Sequence, residues 1–198
     1  MPRLLIATNN KGKVLELRAL LQDLRAELVT PADVGLRLQV TEDGITYAEN
    51  ARAKALAFAE ASGLISLADD SGLEVQVLDG APGLHSARYL AKPGATDAER
   101  RSFLLRNLGD KPRPWLAKFR SAVAIAVPGA GVQLAEGHCD GEIVSDERGT
   151  GGFGYDRIFY IAAVGQTMAE LSLEAKNRLS HRAQAVIRAR PILEQLFG

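Results

Sequence analysis

The sequence predicts an α/β protein: one mixed β-sheet with helices packed around it, arranged as two lobes with a cleft. Three observations carry this. The first third alternates short apolar strand signals with longer helical periodicities. The middle holds two long strand signals separated by Pro128-Gly129-Ala130-Gly131, the order of an antiparallel pair joined by a turn. Hydrophobic residues make up 46% of 198 positions, enough to fill a sizeable core.

Residues 3–7 are a short apolar strand and residues 8–12 a polar turn. Residues 13–24 place Val14, Leu17, Leu21 and Leu24 on one helical face. Residues 27–30 form a second strand that Pro31 stops, and residues 37–41 a weak one. Residues 46–61 read as an Ala-rich helix for which Gly63 suits the C-cap. Residues 64–68 read as a buried strand, and residues 72–78 alternate Leu73, Val75 and Val77 at the strand period. Residues 79–86 are a Gly/Pro loop. Thr96-x-x-Glu99 is a capping box that opens a helix ending near Gly109. Strands are expected at 115–127, 132–144 and 158–161, with a glycine-rich loop at 146–156. The C-terminus is helical, with a break or new start at Pro191. No repeat or linker interrupts the pattern, so residues 1–198 read as a single domain.

Lys+Arg and Asp+Glu balance at 24 each. Proteins that live on nucleic-acid phosphates show a basic excess. Bulk binding to nucleic acid or an acidic membrane is therefore disfavoured, and Arg100, Arg101, Arg106, Arg113, Lys118 and Arg120 read as a solvated face. The one cysteine, Cys139, excludes an intrachain disulfide and fits a reducing compartment. No secretory signal is expected at residues 1–6, and no run approaches the roughly 20 apolar residues of a membrane span. The expected address is the cytoplasm.

Four segments carry candidate chemistry. Asp69 and Asp70 close an apolar run and lead into Ser71-Gly72. Carboxylates near a core call for a cation or donors, so both are candidates for a metal site or a general base; a surface turn is the alternative. They converge on one ion only if the strand ends between them. Glu42 follows the weak strand and is a second candidate ligand. A Mg²⁺ ion takes one or two protein carboxylates plus phosphate oxygens, so one Asp with Glu42 would satisfy it. Thr8-Asn9-Asn10-Lys11-Gly12-Lys13 joins a strand to a helix, and a helix N-terminus receives anions; a phosphate cradle and a plain polar turn both fit. Lys54, one helical turn from Asn50, is a second phosphate candidate. In Gly151-Gly152-Phe153-Gly154-Tyr155-Asp156 the aromatics suit stacking on a flat heterocycle, or they tuck into a core. In Lys176-Asn177-Arg178-Leu179-Ser180-His181-Arg182, Ser180 suits an N-cap. Cations in the following first turn oppose the helix dipole, which points to an external anion or polar base edge.

Together and in order, these segments resemble the non-canonical purine nucleoside triphosphate pyrophosphatases, which act on inosine and xanthosine triphosphates. The matching pieces are residues 7–13, Glu49-Asn50-Ala51 with Lys54, residues 68–73, 80–83, 86–89 and 151–156, Ala169-Glu170-Leu171, Lys176 and Ser180-His181-Arg182. One position departs from the family pattern: Arg157 stands where a proline is usual. Thr41 stands where some members carry another acid.

The resemblance implies an elongated mixed sheet with flanking helices, two lobes and a nucleotide-binding cleft. It implies a homodimer that uses Mg²⁺ to convert ITP, dITP and XTP to the monophosphate and pyrophosphate, which cleanses the nucleotide pool. Asp70, Asp69 and Glu42 are then the metal ligands, with Asp70 or Asp69 also accepting a proton from water. Lys13, Lys54 and the loop from Thr8 to Gly12 hold phosphates. Phe153 and Tyr155 flank the base, Asp156 and Lys176 lie near base or sugar, and Ser71, Gly154 and His181 also belong to the substrate-binding set. Arg182 is expected to face the 6-oxo group, because a donor-only guanidinium would repel the 6-amino group of adenine. A nucleotide sensor, a hydrolase for other bases and an RNA-binding module are the competing classes.

Overall fold

The computed structural model describes all 198 residues. In chain order its helices are α1 (Lys11–Leu20), α2 (Tyr47–Ser62), α3 (Asp97–Leu108), α4 (Leu173–Leu179) and α5 (His181–Phe197). Strand β1 (Arg3–Ile6) pairs in parallel with β2 (Glu27–Val29) and β3 (Ile65–Val75). The two-residue β4 (Pro82–Gly83) pairs antiparallel with β3. The sheet continues through β5 (Trp115–Ala126), β6 (Val132–Ile143), β7 (Phe159–Ile161) and β8 (Gln166–Thr167), in the order β2-β1-β3-β5-β6-β7-β8. The β6–β7 and β7–β8 pairs are antiparallel, so the sheet is mixed, as expected. No helix is long and apolar enough to cross a membrane.

The chain divides into two compact units. The first holds Met1–Asp70, Ser121–Gly137 and His181–Gly198; the second holds Ser71–Arg120 and His138–Ser180. In the first unit the two-residue period of the strands sorts side chains into two cores. Leu4, Ile6, Leu67, Val123 and Ile125 pack with Leu17 of α1 and with Val186, Ala189 and Leu193 of α5. Leu5, Ala7, Ala68, Ala122 and Ala124 pack with Ala51, Ala55, Phe58 and Ala59 of α2. Small side chains on both partners let α2 lie close to its face of the sheet. The second unit has a core of Leu73, Val75, Leu104, Leu108, Trp115, Phe119, Phe159 and Met168.

The helix starts follow local chemistry. Asn10 caps α1 by accepting from the Lys13 N–H, Thr46 caps α2 from Glu49, and Thr96 with Glu99 forms the expected capping box on α3. Helix α1 begins two residues before the expected start and ends earlier, at Leu20.

Three larger differences have physical reasons. Residues 37–41 form no strand: Leu36, Leu38 and Val40 satisfy their apolar alternation by packing on the α2-side core. The expected turn at residues 69–72 does not interrupt the chain. β3 runs unbroken from Ile65 to Val75 because Leu73 and Val75 are buried beyond it. Pro191 lies inside α5 rather than breaking it. The carbonyl it leaves unbonded belongs to Ile187, a residue on the exposed side of the helix.

Close approach of α5 to β6 depends on Gly137. A Cβ there would lie 2.3 Å from the His181 carbonyl oxygen and 2.4 Å from the Ala185 nitrogen. Backbone cannot yield as a side chain can, and overpacking costs about 1–3 kcal/mol. Gly137→Ala is expected to lower the melting temperature by about 2–10 °C, read by thermal denaturation.

Candidate active site

Because β3 does not end between Asp69 and Asp70, strand alternation sends the two carboxylates to opposite faces. Asp69 follows Leu67 toward α1 and α5, and Asp70 follows Ala68 toward α2. Their surroundings differ accordingly.

Asp69 is 1% exposed. Its Oδ1 accepts from the Ser121 hydroxyl at 2.5 Å; its Oδ2 accepts from Lys13 Nζ at 2.6 Å and Arg182 Nη2 at 3.1 Å. Burial alone would raise its pKa. The Arg182 guanidinium and the Lys13 ammonium overcome that and hold the carboxyl far below the usual carboxylate range. Arg182, also 1% exposed, makes a second ion pair with Glu16 of α1. The result is a buried chain of charges, Glu16–Arg182–Asp69–Lys13.

Asp70 has no such cation of its own. Its Oδ2 accepts from Asn50 Nδ2 at 3.1 Å, which leaves Oδ1 for a ligand. Burial raises its pKa, and the neighbouring Glu42 carboxylate adds to the shift, against the pull of Lys13 and Lys54. Glu42 pairs with Lys54. Four carboxylates (Glu16, Glu42, Asp69, Asp70) thus meet three cations (Lys13, Lys54, Arg182), and Asp70 is the one left over.

Lys13 and Lys54 reach the same point from different helices. Their ammonium groups lie 3.3 and 3.4 Å from the Asp69 carbonyl oxygen. Beside them, Thr8 Oγ1 accepts from the Asn10 N–H, and Asn10 Oδ1 accepts from the Lys13 N–H. These bonds fix the loop and leave the first-turn amides of Lys11 and Gly12 to receive an anion. Thr8, Asn9 and Lys11 line an open depression of about 430 Å³.

No group of three or more His, Cys, Asp or Glu stands ready to hold a metal by itself. The donor set nevertheless fits Mg²⁺. Asp70 is a carboxylate without an ion pair, Glu42 lies near enough to shift it, and this ion takes its other ligands from water and phosphate. Asp69 does not fit. Both its oxygens are engaged by Ser121, Lys13 and Arg182, and its carbonyl oxygen gathers the two lysines.

The second unit holds the glycine-rich loop. Asp156 Oδ2 accepts from the Phe153 N–H at 2.8 Å and from Lys176 Nζ at 2.5 Å, and the Lys176 ammonium lies 5.1 Å from the centre of the Phe153 ring. Phe153 is half-buried. Tyr155 is not a stacking face as expected: it belongs to the unit's core, and its hydroxyl donates to the Ser86 carbonyl at 2.9 Å. Burial pushes that phenol well above its ordinary pKa. Gly154 is bonded at both its N–H and its carbonyl by α3, and Ser71 is half-buried on β3. His181 is buried at the start of α5. The Arg182 amino groups meet the Glu16 and Asp69 carboxylates.

Glu16 and Ser121 were not among the expected site residues. Both leave a trace in the sequence as polar residues in apolar frames, Glu16 beside Leu17 on α1 and Ser121 within the buried half of β5.

The chain matches the model of the Ham1 family over residues 4–192. It is 46% identical over 196 residues to a dITP/XTP pyrophosphatase of Desulforamulus reducens, covering 98% of this chain and 97% of that protein. A dITP/XTP pyrophosphatase of Thermus thermophilus is 46% identical over 187 residues, covering 93% and 88%. The solved HAM1 protein of Coxiella burnetii superposes with a TM-score of 0.86 at 37% identity, covering 98% of this chain and 100% of that one.

The two aspartates should respond oppositely to loss of charge. Asp69→Asn leaves Lys13 without its carboxylate and Arg182 with Glu16 alone, and is expected to cost about 3–5 kcal/mol in chemical denaturation. The pKa of Asp69 is lowered on folding. Its contribution is therefore complete above the ordinary carboxylate range and fades only as the pH falls toward the much lower folded value. Asp70 is raised on folding, so its ionised form destabilises the fold at neutral pH and ceases to do so once protonated. Asp70→Asn should raise the melting temperature by a few degrees at neutral pH, with the gain vanishing below about pH 4.

Proposed function

From the premise that this chain belongs to the Ham1 family, we propose that it hydrolyses non-canonical purine nucleoside triphosphates, among them dITP, ITP and XTP, to the monophosphate and pyrophosphate. The observation that carries the reading is Asp70, a buried carboxylate with no ion pair of its own, beside Glu42, Lys13 and Lys54. An arrangement of this kind suits a divalent cation together with a polyphosphate.

Asp70 and Glu42 would hold Mg²⁺. When bound, that ion would neutralise charge on the phosphate oxygens and on the departing pyrophosphate. A cation and a proton compete for Asp70, so in the loaded site its part is to bind the metal. Lys13 and Lys54, gathered on the Asp69 carbonyl, would offer their remaining N–H groups to the phosphates, and the amides of Lys11 and Gly12 would receive a further oxygen. Attack of water on the α-phosphorus forms one P–O bond and breaks the bond to the β-phosphate; pyrophosphate leaves, and the proton of the attacking water passes to solvent. Phe153 would stack on the purine, with Asp156 and Lys176 near the base or sugar. The same reading places the protein in the cytoplasm, where the nucleotide pool is, as a homodimer.

The test is product analysis with ITP, XTP, ATP and GTP in the presence of Mg²⁺. Pyrophosphate and monophosphate should appear from ITP and XTP at least about tenfold faster than from ATP and GTP. Equal rates on all four would reject the selectivity, and release of single phosphates would reject the bond assigned. Asp70→Asn should lower turnover of ITP by about a hundredfold or more while the protein stays folded. Affinity for Mg²⁺, measured by calorimetry, should fall by up to about tenfold per pH unit as the pH drops below the raised pKa of Asp70, because the metal must then displace a proton.

A further inference from the structure

Gly154 is gripped at both of its backbone polar groups by one helix. Its N–H donates to Asp97 Oδ2 at 2.7 Å, and its carbonyl accepts from Arg101 Nη1 at 2.8 Å. Asp97 and Arg101 lie four residues apart on α3, which puts them on one face. Gly154 has a φ of +61°, a left-handed conformation that side chains rarely adopt, so a specific backbone shape is being held.

The grip is itself braced. Arg101 is 5% exposed, and the rest of its fork binds Glu147 through Nε at 2.7 Å and Nη2 at 3.0 Å. The other oxygen of Asp97 pairs with Arg100. On either side of Gly154 the backbone or side chain is tied again, Phe153 through its N–H to Asp156 and Tyr155 through its hydroxyl to the Ser86 carbonyl. Tyr155 and Asp156 are buried. Of the four residues 153–156, Phe153 alone presents a partly exposed side chain, and its direction is set by the backbone that α3 holds.

We propose that Asp97 and Arg101 are positioning residues for nucleotide recognition, which fix the peptide groups of Gly154 and thereby aim the Phe153 ring at the purine. This rests on the reading of Phe153 as the stacking face. Neither residue touches the substrate; each acts through one glycine. A fixed ring is ready to stack without the entropy cost of ordering a loop at the moment of binding.

Steady-state kinetics of the full chain with ITP and Mg²⁺ test this. Asp97→Ala is expected to raise KM by about tenfold and to move kcat much less, because stacking contributes to binding rather than to bond breaking. Asp97→Asn keeps an acceptor oxygen for the Gly154 N–H and should return KM to within about threefold of the unsubstituted protein. Phe153→Ala should raise KM at least as much, and the double variant Asp97→Ala/Phe153→Ala should be no worse than Phe153→Ala alone. Additive effects in the double variant, or an Asp97→Ala variant with unchanged KM beside an impaired Phe153→Ala, would overturn the positioning role. An unchanged KM in Phe153→Ala would instead remove the stacking reading. Should Asp97→Ala fail to fold, Arg101→Lys, which keeps a cation near Glu147 but loses the fork, carries the same expected KM rise and the same overturning result.

Discussion

Asp69 can be ionised inside the first unit only because Arg182 and Lys13 stand against it, and much of that unit's chemistry follows from this contact. A lone buried carboxylate would take up a proton. Arg182 comes from the start of α5 and Lys13 from the start of α1, so the contact draws two helix starts to one strand residue. Glu16 closes the set by giving Arg182 a second carboxylate. Removing Arg182 leaves Glu16 without its cation, and removing Asp69 takes a carboxylate from both Arg182 and Lys13. The same contact holds Lys13 beside the Asp69 carbonyl, where Lys54 also arrives. A structural ion network and the pair of ammonium groups proposed to bind phosphate therefore share one residue.

Adjacent identical residues acquire opposite work through the pleat of the strand. Asp69 is saturated by cations and serves the fold. Asp70, one residue on, faces the small-residue surface under α2 and finds one amide. Its charge is a liability to the fold, and the same lack of a cation is what would leave it available for the proposed metal. Stability and activity thus pull on neighbouring carboxylates in different directions, as is common where a binding site is built into a folded core.

How much of this was legible in the sequence follows from the range of each interaction. Caps at Thr46 and Thr96 and the helices they open were readable, because a cap involves residues three apart. The mixed sheet was readable from the order of its elements. Continuity of β3 was not: Ser71-Gly72 is turn chemistry, and only the burial of Leu73 and Val75 in a core assembled from distant segments carries the strand through it. The role of Glu16 was hidden for the same reason, since its partner Arg182 lies 166 positions away. Arg182 itself was readable as a cation in an unusual place, but its pairing with Glu16 and Asp69 was not. Phe153 and Tyr155 look alike between their glycines, and the difference between a half-exposed ring and a core residue arises from Ser86, sixty-nine positions away.

The glycines of that loop suggest mobility, yet their packing argues for the reverse. A Cβ on Gly149 would fall 2.4 Å from the Ala169 carbonyl, and one on Gly152 would fall 2.0 Å from Asp156 Oδ2. Gly151 donates its N–H to the Ala169 carbonyl at 3.0 Å. Here the missing side chain lets backbone lie against backbone and against a buried carboxylate, so each glycine shortens a contact instead of loosening the chain. With α3 holding Gly154, the segment is fixed before any ligand arrives. A recognition surface made this way loses little entropy on binding. It would also adapt poorly: if Phe153 is the stacking face proposed above, a ring without a flat face at the distance it sets could not recover its lost contacts by moving the loop. On the proposed stacking role, selectivity in this unit would come from the rigidity of the surface as well as from the identity of the residues on it.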